Sequence, residues 1–177
     1  MEKFIILDRD GVINVDLFDY VTKPADFRFE EGSLEALKKL RDNGYKIIVA
    51  TNQACIGQGT ASPEEIQIVN EHMVKKVKEF GGDILHIEVC SHTPEQNCSC
   101  RKPKTGLLEN AEKELKIRLK GSYFLGDKYS DIQCALAHSC IPILVKTGYG
   151  ETTVKNHDTQ SVKTFENLFS AVNFICK

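Results

Sequence analysis

Apolar and polar positions along the chain follow two periods in turn, and the alternation predicts strand after helix. Residues 4–7, Phe-Ile-Ile-Leu, form a short continuous apolar run, the mark of a strand buried on both faces. Residues 15–32 are polar and aromatic without a clean period. Leu34, Leu37 and Leu40 then recur at helical spacing, and Asn43-Gly44 closes that helix. Residues 46–50 read as a second strand ending in Thr51-Asn52-Gln53, followed by a loop with Gly57 and Gly59. Ser62-Pro63-Glu64-Glu65 is a helix start: Ser62 caps, Pro63 takes the first position and Glu65 completes a capping box. Ile66, Val69, Met73, Val77 and Phe80 make one apolar face, and Gly81-Gly82 ends it. Residues 84–89 read as a third strand. Leu107, Leu108, Ala111 and Leu115 mark another helix; residues 123–125 are a strand that breaks into Gly126-Asp127. Ile132 and Leu136 mark a short helix, and residues 141–145 a further strand. Phe165, Leu168, Phe169, Val172 and Ile175 fit a C-terminal helix. This order predicts an α/β fold, Rossmann-like, in three α/β/α layers with a mostly parallel sheet.

Composition narrows the class without changing the fold. At 177 residues, with 41% apolar and 27% charged residues, residues 1–177 are expected to form one soluble globular domain. The formal charge of −2 offers no electrostatic case for a nucleic-acid or membrane partner. The opening Met-Glu-Lys leads almost at once into a strand, with no signal peptide and no run long enough to span a bilayer; the expected location is the cytoplasm. Seven cysteines, an odd number, suit thiols or metal ligands better than a closed disulfide framework.

The candidate chemistry sits at strand ends. Asp8 and Asp10, Thr51 and Asn52, and Gly126-Asp127 each follow a separate apolar run. Any one of these is an ordinary solvated turn, since Asp and Gly favour turns. Three of them at C-terminal strand edges point to one site, because a parallel sheet gathers such edges together. Residues i and i+2 of an extended chain face the same way, so Asp8 and Asp10 can converge. Oxygen ligands suit Mg²⁺; Asp8 and Asp127 are the natural pair, with a backbone carbonyl near Asp10 as a third ligand. Thr51 offers a hydroxyl to a phosphoryl oxygen, Lys102 a point charge and Arg101 a planar fork.

A second cluster precedes Arg101. Cys90, His92, Cys98 and Cys100 read C-x-H-x5-C-x-C, a closed tetrahedral set for structural Zn²⁺ that runs into Arg101-Lys102-Pro103. Incidental clustering of thiols is the plainer alternative, and the spacing argues against it. Cys134, Cys140 and Cys176 lie among apolar residues and read as core; Cys55 has no assignment. His72, His86, His138 and His157 read as surface or packed side chains.

Asp8-Arg9-Asp10-Gly11, Thr51-Asn52-Gln53, Arg101-Lys102-Pro103 and Gly126-Asp127-Lys128-Tyr129-Ser130-Asp131 resemble, in order, the four motifs of haloacid dehalogenase-type phosphatases. The resemblance covers residues 4 to about 150 and is similar to the minimal-cap, zinc-loop subgroup of the heptose bisphosphate phosphatases and the histidinol-phosphatase domain. It implies Asp8 as nucleophile forming an aspartyl-phosphate and Asp10 as acid/base. Thr51 and Lys102 would hold the phosphoryl group, and Asp127 would bind Mg²⁺ with Asp131 in support. A nearby anionic nucleophile would favour the protonated form of Asp10. With almost no cap, substrate contacts fall to loops: Asp16, Asp19, Asn52, Gln53, Arg101 and Lys128. The implied substrate is a small phosphorylated sugar, heptose 1,7-bisphosphate on the route to nucleotide-activated heptose for lipopolysaccharide core or surface glycan, with histidinol phosphate as the alternative. The chain is expected to act as a monomer. Two departures stand out: Gln58 replaces a usual basic side chain, and Leu17-Phe18-Asp19 is one residue longer than usual. A receiver-type signalling domain also carries a phosphorylatable Asp, but needs neither Asp10 nor the zinc loop. A zinc-binding interaction module leaves the strand-end carboxylates unexplained.

Overall fold

The structure, a computed structural model, describes residues 2–177. In chain order the elements are β1 (Lys3–Leu7), α1 (Ser33–Asp42), β2 (Tyr45–Asn52), a short α2 (Ala54–Gly57), α3 (Pro63–Phe80), β3 (His86–Cys90), α4 (Gly106–Leu115), β4 (Tyr123–Gly126), α5 (Tyr129–Ala137), β5 (Ile141–Val145), α6 (Gly150–Asn156), β6 (Lys163–Phe165) and α7 (Leu168–Ile175). The strands form one sheet in the order β3-β2-β1-β4-β5-β6, and every pairing is parallel. The expected three-layer α/β/α fold is what forms; its sheet is wholly rather than mostly parallel.

The period of two along each strand divides the core. Ile5, Leu7, Ile47, Val49 and Leu125 turn to one face, against Leu37 of α1, Met73 of α3 and Val172 of α7. Ile6, Ile48, Ala50 and Phe124 turn to the other, against Leu107, Leu108 and Ala111 of α4 and Cys134 and Ala135 of α5. Both faces are buried, so the central strands had to be apolar at every position. A buried Leu or Ile contributes about 1.5–3 kcal/mol. The start of α3 is as its sequence predicts: Ser62 accepts from the Glu65 N–H, and Glu65 accepts in return from the Ser62 N–H.

Several elements differ from expectation. The third strand begins at His86 rather than residue 84, because edge pairing to β2 starts there. Phe165 belongs to β6 and not to the C-terminal helix, which starts at Leu168 behind an Asn167 cap. Helix α6 and the turn α2, both too short or polar for a periodic signal, were not anticipated.

Candidate active site

The sheet order reverses at β1, whose neighbours are β2 and β4. In an open α/β sheet that reversal opens a crevice beyond the C-terminal strand edges. Asp8 follows β1, Thr51 lies near the end of β2 and Asp127 follows β4, so the topology alone brings the three together. A cavity of about 370 Å³ opens there, lined among others by Asp8, Asp10, Thr51, Arg101, Lys102 and Asp131. A larger groove between α3 and β3 contains none of these residues.

Lys102 is the electrostatic centre. It is buried, and its Nζ lies 2.9 Å from Asp8 Oδ1, 2.7 Å from Asp131 Oδ1 and 2.8 Å from the Ala50 carbonyl oxygen. The Ala50 contact is a hydrogen bond and the two carboxylate contacts are ion pairs. Burial works against its charge, yet Asp131 and Asp8 hold its pKa above the ordinary lysine range. Burial pushes the Asp8 carboxyl up to about 6, against the pull of Lys102. Burial likewise pushes Asp127 well above its usual range, opposed by Lys128 and reinforced by Asp8 and Asp131.

The carboxylates fit a divalent cation. Asp8, Asp127 and Asp131 present oxygens within 4.8 Å of one another. Asp127 Oδ2 accepts from the Tyr149 N–H at 2.8 Å, while Oδ1 is buried with no hydrogen-bond partner. A buried oxygen without a donor is costly unless a cation meets it. Gly11 and Gly148 approach this carboxylate so closely that a Cβ at either would stand 2.3 Å from Oδ2.

Asp10 differs from expectation in one respect, its protonation; a main-chain carbonyl near it is the metal donor that the sequence already suggests. Its Oδ1 accepts from Asn14 Nδ2 at 2.9 Å and its Oδ2 from Gln53 Nε2 at 2.8 Å, with Arg9 Nη2 3.1 Å from both. The side chain is therefore engaged away from the other carboxylates, leaving its main-chain carbonyl as the group it can offer a metal. Burial raises its pKa, but the Arg9 charge and these hydrogen bonds outweigh burial and hold it below the usual range. The expected protonated form is not favoured here, because the adjacent cation counts for more than the anionic nucleophile.

The remaining predicted residues divide between the cavity and its frame. Thr51 is buried, and its Oγ1 accepts from Gln53 Nε2 at 2.8 Å, leaving the hydroxyl proton free to donate. Gln53 is itself fully buried between Thr51 and Asp10. Asn52 spends its amide on Lys102, accepting from its N–H at 3.1 Å and donating to its carbonyl at 3.2 Å. Gln53 therefore braces the site from within, while Asn52 braces Lys102 and also lines the cavity. Asp16 pairs with Lys128 Nζ at 3.0 Å, and Asp19 and Arg101 line the cavity. Arg101 Nη1 donates to the His92 carbonyl at 3.1 Å, tying it to the cysteine loop. Asp131 caps α5 by accepting from the Lys128 N–H at 3.0 Å. Tyr149, beneath Lys128 Nζ and 4.8 Å from it, completes the wall and is not among the expected substrate contacts.

The cysteine loop assembles as its spacing predicts. Cys90 Sγ lies 3.7 Å from Cys98 Sγ and 3.1 Å from Cys100 Sγ, and His92 Nδ1 lies 3.3 Å from Cys100 Sγ. Zinc–thiolate bonds in a tetrahedron set sulfurs about 3.8 Å apart, so the four donors fit Zn²⁺ with small adjustments. Cys134 and Cys140 are buried in the core, as is Cys55, beside Ala61 and Ile66.

Residues 3–168 match a family model described as polynucleotide kinase 3 phosphatase. The D-glycero-beta-D-manno-heptose-1,7-bisphosphate 7-phosphatase of Pseudomonas putida is 37% identical, over 94% of this chain and 95% of the relative. The D-glycero-alpha-D-manno-heptose-1,7-bisphosphate 7-phosphatase of Photorhabdus laumondii is 38% identical, over 98% and 96%. The crystal structure of D,D-heptose 1,7-bisphosphate phosphatase from B. bronchiseptica, complexed with magnesium and phosphate, superposes with a TM-score of 0.93 at 30% identity, covering 98% of this chain and 97% of that one. Likeness that runs the length of both partners, in sequence and in fold, makes this chain a member of the haloacid dehalogenase-type phosphatases, in the branch of the heptose bisphosphate phosphatases.

Proposed function

We propose that this chain is a magnesium-dependent phosphomonoesterase that removes the 7-phosphate from D-glycero-D-manno-heptose 1,7-bisphosphate. The observation that carries the reading is the meeting of Asp8, Lys102, Asp127 and Asp131 at the reversal of the sheet order, in a chain related along its length to enzymes of that name.

Hydrolysis runs in two displacements. A carboxylate oxygen of Asp8 attacks phosphorus; the bond to Asp8 forms, the bond to the sugar oxygen breaks, and Asp10 gives its proton to the departing alkoxide. The phosphoryl dianion arriving beside Asp10 shifts that carboxyl toward the protonated form it needs. Asp10 then takes a proton from water, whose oxygen attacks phosphorus and breaks the bond to Asp8, releasing inorganic phosphate. Thr51 donates its free hydroxyl proton to a phosphoryl oxygen, and Lys102 sets a fixed positive charge beside the same atoms. Magnesium, held by Asp8, Asp127 and the Asp10 main-chain carbonyl, would neutralise charge on the phosphoryl oxygens. Zinc on Cys90, His92, Cys98 and Cys100 would fix the loop that aims Arg101. Arg101 and Lys128, with Asp16 and Asp19, face the part of the sugar that does not react. Side-by-side kcat/KM values for both anomers of heptose 1,7-bisphosphate and for histidinol phosphate test the assignment. A heptose value above the histidinol value is expected, and the reverse order overturns the substrate.

A further inference from the structure

Arg9 lies between the two carboxylates of the first motif, where a fully extended chain would turn it away from both. Instead its guanidinium is completely buried and folds back onto Asp10. A buried charge persists only with fixed partners. Nη2 donates to Oδ1 and Oδ2 of Asp10, 3.1 Å from each, and Nη1 donates to Asn70 Oδ1 at 2.9 Å. Asn70 is on α3, is itself buried, and is separated from Arg9 by 61 positions. Nothing in the four motifs announces it.

We infer that Arg9 and Asn70 are positioning residues for Asp10, an inference that rests on the reading of Asp10 as acid/base. A carboxylate has a broad, two-fold terminal torsion. Asn14 and Gln53 each hold one oxygen of Asp10; Nη2 of the guanidinium sits between those two oxygens, while Nη1 of the same rigid plane is held by Asn70. Asn70 in turn anchors the guanidinium to an 18-residue helix packed on the sheet. The arrangement matters because one carboxylate serves two steps, first toward the sugar oxygen and then toward water. Both transfers need it within hydrogen-bond reach in one orientation. Lys102, not Arg9, is the partner of Asp8, so the two cations divide the two carboxylates between them.

Single-turnover quench kinetics on Asn70→Ala and Arg9→Met, with Arg9→Lys alongside, separate positioning from simple structural support. The comparison uses heptose 1,7-bisphosphate, whose alkoxide must be protonated as it leaves, and p-nitrophenyl phosphate, whose phenolate leaves without help. Acid/base catalysis is worth about 10²- to 10⁴-fold, so partial misplacement of Asp10 should cost about tenfold or more on the sugar phosphate. Release of p-nitrophenol in the first turnover should change by less than about twofold on the same reasoning. The substrate Kd, read from the concentration dependence of the single-turnover rate, should hold, and radiolabelled phosphoenzyme should accumulate because its hydrolysis also uses Asp10. Arg9→Lys, which keeps the charge but has no second nitrogen in a rigid plane to reach Asn70, should recover only part of the loss. Equal losses on both substrates, or a change in Kd alone, would overturn the inference in favour of a structural role. If Arg9→Met does not fold, Asn70→Ala still decides, since it leaves the guanidinium in place. Full activity in Asp8→Asn would instead remove the aspartyl-phosphate reading beneath it, a separate outcome with a separate variant.

Discussion

Gly148→Ala places one methyl group against the carboxylate on which the cation site depends. Gly148 follows β5 with a φ of +56°, and its added Cβ would stand 2.3 Å from Asp127 Oδ2 and 2.7 Å from the Gly11 Cα. Neither neighbour yields easily. Gly11 is backbone, held by Thr147 Oγ1, which donates to its carbonyl at 2.6 Å. Asp127 Oδ2 is held by the Tyr149 N–H. Alanine in the left-handed region costs about 1–2 kcal/mol. Overpacking adds about 1–3 kcal/mol. The sum, about 2–5 kcal/mol, is a large part of the 5–15 kcal/mol that holds a typical domain. If Asp127 swings aside to relieve the contact, the loss moves from folding to metal affinity. Removing even an outer partner of a metal ligand costs about 10- to 100-fold, so the Mg²⁺ concentration for half-maximal activity should rise at least about tenfold. Urea unfolding in EDTA and Mg²⁺ activation curves measure the two parts. Gly121→Ala is the control: its φ is +80° but its Cβ would meet nothing within 4 Å, so it should lose only the backbone term and leave Mg²⁺ activation alone. A Gly148→Ala protein with the wild-type urea midpoint and wild-type Mg²⁺ response would refute the geometry of the site.

Asp8 at about 6 must lose its proton to bind a cation, so its titration alone should make Mg²⁺ affinity measured by calorimetry fall by up to about tenfold per pH unit below 6. The sign for stability is the converse: a carboxyl with a raised folded pKa makes the metal-free protein more stable as pH falls toward the ordinary carboxylate range. That stability is lost as pH rises through about 6, and a flat pH profile in EDTA would contradict the burial of Asp8. Zinc should co-purify at about one per chain, as a closed four-ligand site requires, and its removal should lower kcat/KM while far-ultraviolet dichroism is kept; full activity in zinc-free protein would dissociate the loop from Arg101. Arg101→Ala should lower kcat/KM for the bisphosphate by about ten- to a hundredfold, the worth of one charge-assisted hydrogen bond, with a much smaller effect on p-nitrophenyl phosphate, whereas Lys102→Ala should damage both. Equal losses for Arg101→Ala on the two substrates would put Arg101 at the reaction centre.

Much of this was legible in the chain because two signals are local. The central strands β1, β2 and β4 are buried on both faces, so their apolar runs are unbroken and the polar residues that end them stand out. The cysteine loop keeps all four of its candidate ligands within eleven consecutive residues, and spacing alone names them. What escaped is what depends on side-chain direction or on distant partners. Lys163-Thr164-Phe165 is three residues long and only partly buried, so β6 had no pattern to show. Asn52 and Gln53 read as substrate contacts because a minimal cap leaves such contacts to loops; only the folded chain turns the one onto the Lys102 backbone and the other onto Asp10. Arg9 read as part of a polar turn, since its partner Asn70 lies on a helix whose periodicity reports apolar positions alone.

The pairing of β1 with β4 sets a timetable for synthesis. Ile5 leaves the ribosome well before Tyr123, to which it is register-matched. Until that strand emerges, β1 can pair only with β2, and Asp8 has neither Asp127 nor Asp131 beside it. Contacts this far apart in sequence form late, because the intervening chain must be closed first. A nascent chain stopped before β4 would hold a partial sheet and a bound zinc loop yet be catalytically silent. Magnesium, if held as proposed by carboxylates from both sides of that gap, would then favour the completed fold over every shorter one.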